Sequence, residues 1–442
     1  MSLSSAAMPA TASRGRRVVL GLDGGSTKTR CVVLEVRDDG EDEAARVLGT
    51  HTSGSCNHNS VGEARARRNV LCAMAGALRD AGPGADADGA ALDVIGVCLC
   101  MSGTDRPRDK RMVAGWMERA RERERRRTDA GAPARANGAG DEEDDLAEMR
   151  ADGGPGSAWD AMMRKRFRFR GVGDGARDGE CDGDGAPCVD VTIENDALGA
   201  LCSGTRGERD GVVLIAGTGT IAYAFYVDEA RRRRSARVSG WGAMFGDGGC
   251  GYDIGQKGLC TVARMLDGRL ENRGLLPPAV LRAVGAEDAE GLLSWAYSDA
   301  GAGGRAGGWD RVASLARTVI ECAQAGDADA LGLVDDAAAE LSRSVLTVVG
   351  KTAPGGGGGE GVWTGRVVLV GGVLAGASAG GGANVLLQKL LHNLHRDLPR
   401  AQIVTPTAEP AVGAAWLIAR EAAGARGVVV PQSVEALKRG VS

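Results

Sequence analysis

The chain opens, after a short polar start, on two apolar runs with a polar turn between them. Val18 to Leu22 leads into Asp23-Gly24-Gly25-Ser26-Thr27-Lys28-Thr29, and Cys31 to Val36 follows. Two β-branched runs around such a turn predict a β-hairpin, with a turn longer than the usual two residues. Ala45 to Gly54 predicts a third strand, and Val61, Ala64, Val70, Leu71, Met74, Ala77 and Leu78 fall near helical spacing over 61–79. The apolar run "ALDVIGVCLCMSG" from Ala91 to Gly103 predicts a strand buried on both faces, and a basic helix follows near Lys110 to Arg125.

The pattern breaks between Arg125 and Pro187. Segments such as "GAGDEEDD" and "GDGARDGECDGDGAP" carry no apolar period, so residues 125–187 are expected to be a mostly disordered, solvated insertion whose removal leaves activity intact. Its acid clusters lack the ligand spacing and closing Glu of an EF-hand. Order returns at Cys188 with a strand ending at Asn195-Asp196 and a helix beyond it. A second hairpin is predicted at "GVVLIAGTGTIAYAFYV", Gly211 to Val227. Helices are expected over 249–266, 311–325 and 328–349. A Gly-rich tract (Pro354 to Gly361), a strand at Arg366 to Gly372, a helix at 385–394, a short strand at Ile403 and a last helix at 411–420 complete the series.

The hairpins "VVLGLDGGSTKT" and "VVLIAGTGTIAY" share one grammar: apolar strand, Gly/Thr turn, second strand. Each opens its own block of strands and helices, which predicts a duplicated α/β unit with one phosphate-facing turn in each copy. The boundaries expected are a leader at 1–16, an N-terminal domain over 17–204, a C-terminal domain over 205–410, a closing helix at 411–423 packed on the N-terminal domain, and a tail at 424–442.

Composition narrows the function. The 442 residues carry 54 basic and 58 acidic side chains, a formal net charge of −4, so a nucleic-acid partner is not expected. No apolar run is long enough for a membrane span. Eleven cysteines without zinc spacing or a secretory signal suggest reduced thiols in a cytoplasmic protein. The Ser/Ala/Arg-rich leader reads either as a disordered start or as an organelle transit peptide.

Glycines let backbone amides approach an anion, and hydroxyls add donors. Gly24, Gly25, Thr27 and Lys28 in the first turn, and Gly217, Thr218 and Gly219 in the second, therefore suit a nucleoside triphosphate, although no Walker A loop is present. Asp23, at the end of the first strand, either holds Mg²⁺ through water or caps the turn. Asp196, where a strand meets a helix, is either a base facing an acceptor hydroxyl or an ordinary N-cap. The loop from Val238 to Gly255 packs seven glycines with Trp241 and Asp247, which suits the wall of a sugar site. Gly371 and Gly372, at a strand end, would let adenine lie against the backbone.

In order, the motifs DGGSTKT, SGSCNHN, CMSGTD, ENDALGAL, IAGTGT, GWGAMFGDGGCGYDIG, LVGG and EPAVGAAWLIAR resemble those of the N-acetylglucosamine kinases, which belong with the BadF-type ATPases in the sugar kinase and actin superfamily. The resemblance covers most of 17–423 outside the insertion. It implies two actin-like (ribonuclease H-like) α/β domains with an interdomain cleft for ATP and sugar, and transfer of the γ-phosphate to the sugar 6-hydroxyl. By position it implies Thr27 and Thr218 at the ATP phosphates, Asp23 near Mg²⁺ and Asp196 as catalytic base. Asn57, Gly240, Trp241, Gly242 and Asp247 would lie at the sugar, with Gly371 and Gly372 bordering the nucleotide. A homodimer is compatible with this reading.

Two positions depart from the family pattern. Ile221 stands where an Asn contact is usual, and Gly246-Asp247-Gly248-Gly249 replaces Gly-Asp-Glu-Gly. A lost hydrogen bond to a sugar hydroxyl costs about 1–3 kcal/mol. The alternatives are therefore a kinase of glucosamine or another hexose, or a nucleotide-binding regulator without turnover. Paired cysteines suited to the shared cluster of the iron–sulfur activators are absent from the sequence.

Overall fold

A computed structural model describes residues 16–36, 45–82, 91–129, 157–171, 187–272, 274–297, 307–352, 363–375, 384–422 and 434–436. The expected leader (but for Arg16), the Gly-rich tract at 354–361, most of the tail, and 130–156 and 172–186 of the expected insertion lie outside these residues. The chain divides into two compact units: unit 1 is residues 1–208 with 407–442, and unit 2 is 209–406.

Unit 1 carries the strands β1 (Arg16–Gly24), β2 (Lys28–Glu35), β3 (Ala45–Gly54), β4 (Leu92–Met101), β5 (Arg166–Arg170) and β6 (Cys188–Glu194). β1, β2 and β3 form an antiparallel meander, and β4 and then β6 add in parallel on the far side of β1. Val18, Val19, Leu20 and Leu22 are all fully buried, because β1 is central and both its faces are covered. One face is covered by the helix Pro410–Ala422, which runs so close that a Cβ on Gly21 would lie 2.1 Å from the carbonyl oxygen of Ala411. Only glycine fits there.

Unit 2 repeats this plan. β7 (Gly211–Ala216), β8 (Thr220–Val227) and β9 (Arg233–Ser239) form an antiparallel meander. β10 (Arg366–Val370) and β11 (Gln402–Val404) add in parallel beyond β7. The orders β3-β2-β1-β4-β6 and β9-β8-β7-β10-β11 are therefore equivalent, which makes the fold a duplicated α/β unit. The long helix Ala328–Gly350 closes one face of this second sheet, burying Val334, Leu341, Val345 and Val348.

The expected insertion at 125–187 needs correction. A basic helix, Pro107–Asp129, extends past Arg125, and Ala158–Arg164 forms a further helix that buries Trp159, Met162 and Met163 in the core of unit 1. Next comes β5, "RFRFR", parallel to β6. Its alternation turns Phe167 and Phe169 onto the core, while Arg168 and Arg170 pair with Asp190, which is 3% exposed on β6. A buried carboxylate without a cation would cost several kcal/mol, so residues 157–171 belong to the fold and not to a solvated linker. In the tail, β12 (Val434–Ala436) pairs with β3.

Candidate active site

The turn after β1 is held from several sides. The amide of Gly25 donates to the carbonyl of Lys28 at 2.9 Å, and the Ser55 hydroxyl donates to the Gly25 carbonyl at 3.2 Å. Gly24 is fixed sterically, since a Cβ there would lie 2.2 Å from Cys56 Sγ. Ser26, Thr27 and Lys28 are exposed at the tip. Asn57 caps the short helix His58–Val61 by accepting from the Asn59 amide at 3.1 Å, and its Oδ1 faces the turn at Gly103.

Asp196 is the first residue of the helix Asp196–Thr205, and Asn195 is its cap: the Asn195 side chain accepts from the Ala197 amide at 2.9 Å. The cap position therefore falls to the neighbour, and the Asp196 carboxylate, itself held by the backbone amides of Ala197 and Asp196, lies one residue into the helix. Burial, then the like charges of Asp23 and Asp105, push its pKa up to about 7. Asp23 is pushed up to about 6 by burial and by Glu409, with Lys28 pulling the other way. The Cys56 thiol is held up to about 12 by burial, with Asp196 and Asp23 both contributing. Unit 1 thus gathers Asp23, Asp105, Asp196 and Glu409 around the end of β1, and Arg30 pairs with Glu409 at 2.6 Å.

Asp105 and Glu409 had no assigned role in the sequence reading, although each sits inside a motif quoted there. Arg30 and Glu409 are 379 residues apart in the chain, and only the packing of the closing helix on β1 joins them.

In unit 2 the turn from Gly217 to Thr220 has the same hairpin setting. The Gly217 amide donates to the Gly219 carbonyl at 2.9 Å, and the Gly251 amide donates back to the Gly217 carbonyl at 2.8 Å. A Cβ on Gly217 would meet nothing within 4 Å, so one face of this turn is open. Thr218 is exposed and its hydroxyl donates to Asp310 Oδ1 at 3.0 Å, a contact that the sequence offered no means to find.

Asp247 turns into its own loop. It is 4% exposed and accepts from the amides of Trp241 at 2.9 Å and Gly242 at 3.1 Å. It therefore braces the Gly240-Trp241-Gly242 segment, whereas the Trp241 ring is 69% exposed. Ile221 packs against this segment: a Cβ on Gly240 would lie 2.8 Å from Ile221 Cδ1. At Gly248 a Cβ would lie 3.0 Å from Glu340 Cγ, so a side chain of this unit already fills the space beside that position. Gly371 and Gly372 differ sharply. Gly371 has φ +121° and a Cβ there would lie 2.0 Å from the Ala216 carbonyl oxygen, while Gly372 has nothing within 4 Å.

Among the described residues no group of three or more His, Cys, Asp or Glu is arranged to hold a metal ion, and no helix is long and apolar enough to cross a membrane.

The chain is 28% identical over 410 residues to the N-acetyl-D-glucosamine kinase of Dictyostelium discoideum, covering 91% of this chain and 98% of the relative. It is 31% identical over 234 residues to the N-acetylmuramic acid/N-acetylglucosamine kinase of Clostridium acetobutylicum, covering 52% and 67%. A crystal structure of a candidate N-acetylglucosamine kinase from Chromobacterium violaceum aligns over 91% of this chain and 99% of its own, at 21% identity and a TM-score of 0.48. The family model of the BadF/BadG/BcrA/BcrD ATPases matches residues 20–419, from within β1 to the closing helix. With both hairpin turns and the carboxylates at the end of β1 inside that span, the chain belongs to the BadF/BadG/BcrA/BcrD ATPase family.

Proposed function

We propose that the protein is an ATP-dependent sugar kinase that phosphorylates N-acetyl-D-glucosamine at its 6-hydroxyl, in amino-sugar salvage in the cytoplasm. The observation that carries this reading is Asp196: at the start of its helix, buried beside Asp23 and Asp105 and raised to about 7, its carboxylate suits a general base working near neutral pH. Asp196 takes the proton from the sugar hydroxyl as that oxygen attacks the γ-phosphorus, and ADP leaves.

Gly24, Gly25, Thr27 and Lys28 of unit 1 and Gly217, Thr218 and Gly219 of unit 2 are assigned to the phosphates, with Gly371 and Gly372 beside the nucleotide. The open faces of Gly217 and Gly372 leave room for such a ligand. Asn57 and the 240–242 segment are assigned to the sugar, and Asp247 acts through the loop it braces. A Mg²⁺ ion fits Asp23, since a nearby divalent charge would offset the burial and the Glu409 repulsion that raise this carboxyl. Mg²⁺ needs few protein ligands, and when bound it neutralises phosphate charge. The names and coverage of the Dictyostelium and Clostridium relatives support the choice of acceptor.

ADP release measured with a panel of hexoses and N-acetylhexosamines tests the reading. Stimulation by N-acetylglucosamine, abolished in Asp196→Ala, is expected. Tight ATP binding with no acceptor-stimulated turnover would refute it in favour of a regulator, and preference for another hexose would move the acceptor. NMR of the product fixes the hydroxyl that is modified.

A further inference from the structure

Asp310 stands beside the second Gly/Thr turn, in the first turn of the helix Gly307–Ser314. Backbone packing within unit 2 fixes it there. A Cβ on Gly255 would lie 2.0 Å from the Val312 carbonyl oxygen, and one on Gly251 would lie 3.2 Å from that of Ala313. Glycines thus let Gly307–Ser314 lie directly against the helix Gly251–Leu266. The Tyr252 and Trp309 rings meet at 5.4 Å, and the Tyr252 amide donates to the Thr218 carbonyl at 3.2 Å. Turn and helices are tied together, and Asp310 is held where its Oδ1 accepts from the Thr218 hydroxyl.

Among the described residues no cation pairs with this carboxylate. The adjacent Arg311 is turned elsewhere: it donates to the Trp295 carbonyl at 2.8 Å and lies over the Trp295 ring. A second acid backs the same turn, since a Cβ on Gly219 would lie 3.0 Å from Asp247 Oδ2. A turn suited to phosphate oxygens is therefore flanked by two carboxylates. Anchoring the Thr218 hydroxyl needs only a neutral acceptor, which an amide side chain would supply. The formal negative charge does something more: it opposes a bare polyphosphate and favours one whose charge a divalent cation has already reduced.

Given that this turn holds phosphates, as in the function proposed above, we propose that Asp310 determines which form of the nucleotide is taken. It admits the magnesium complex of a nucleoside triphosphate to the Gly217–Gly219 turn and repels the metal-free form. Asp310 acts on the ligand through its charge, and its hydrogen bond to Thr218 only sets its place.

Binding of the β,γ-imido analogue of ATP to the full chain, followed by calorimetry at low ionic strength with excess Mg²⁺ or with EDTA, tests this without turnover. Asp310 is exposed, and Asp310→Asn keeps an acceptor for Thr218 while removing the charge. This variant should bind the metal-free analogue at least about fivefold more tightly than the wild type, with no gain for the magnesium complex. The difference should fade in about 0.5 M potassium chloride, where exposed charges are screened. Gly217→Leu, which places a side chain on the open face of the turn, should lose both forms. An unchanged preference in Asp310→Asn, with binding lost in Gly217→Leu, overturns the proposal and leaves the phosphate turn standing. Undiminished binding in Gly217→Leu, or no nucleotide binding by the wild type, overturns the assignment of the turn and this proposal with it.

Discussion

Replacing Asp196 by Asn should make the protein more stable while destroying its activity. The native carboxyl holds its proton up to about 7, against an ordinary value of 3.8. Between those limits the folded chain binds more protons than the unfolded chain, so stability falls as pH rises through this window and levels off above it. At about 1.4 kcal/mol per pH unit, the full gap corresponds to a penalty of about 4 kcal/mol on the ionised native state. Because solvent reaches part of this half-buried side chain, about 2 kcal/mol is the better expectation. Asn keeps the shape and cannot ionise, so Asp196→Asn should escape the penalty. Urea unfolding of unit 1, compared at about pH 8 and about pH 4, isolates the effect. The variant should be more stable by about 2 kcal/mol at the higher pH and nearly equal at the lower, while sugar-dependent ADP release drops at least about a hundredfold. A variant less stable than wild type at pH 8, or an advantage that does not shrink on acidification, would refute the idea that burial and like charge strain this carboxylate.

Three further outcomes follow from the same geometry. The rate of sugar phosphorylation (kcat/KM) should rise with pH around an apparent midpoint near 7, and Asp105→Asn should move that midpoint down by removing one of the charges that raise Asp196; an unmoved midpoint would exclude the coupling. Met163→Ala, in the helix within the expected insertion, should destabilise unit 1 by about 2–5 kcal/mol in a chemical melt, whereas a solvated linker would show no change. Gly371→Ala should abolish soluble protein because its Cβ meets the Ala216 carbonyl in a left-handed backbone, while Gly372→Ala should fold and alter only the KM for ATP.

Much of the sheet framework could be read directly from the chain, because central strands buried on both faces must be continuous apolar runs. β1, β4, β7 and β10 announce themselves in this way. Edge strands escape the same logic. β9 reads Arg-Arg-Ser-Ala-Arg-Val-Ser and is largely exposed, its arginines blunting a free sheet edge, so no apolar run marks it. The arginine–phenylalanine alternation of β5 was visible in the sequence, yet the glycines and acids around it outweighed five residues.

The sequence by itself established the repeated hairpin grammar, the two Gly/Thr turns and the order of motifs, since turn chemistry and strand periodicity are local properties. Tertiary structure alone decided which acids meet. Asp23, Asp105, Asp196 and Glu409 come from four separate segments, and their proton affinities depend on shared burial and mutual repulsion. It also decided that Asn195 and not Asp196 caps the helix, that Asp247 faces its own loop, and that Asp190 needs two arginines from a segment with the composition of a linker. Each is a matter of through-space contact between charges and donors, and spacing along the chain carries no record of that.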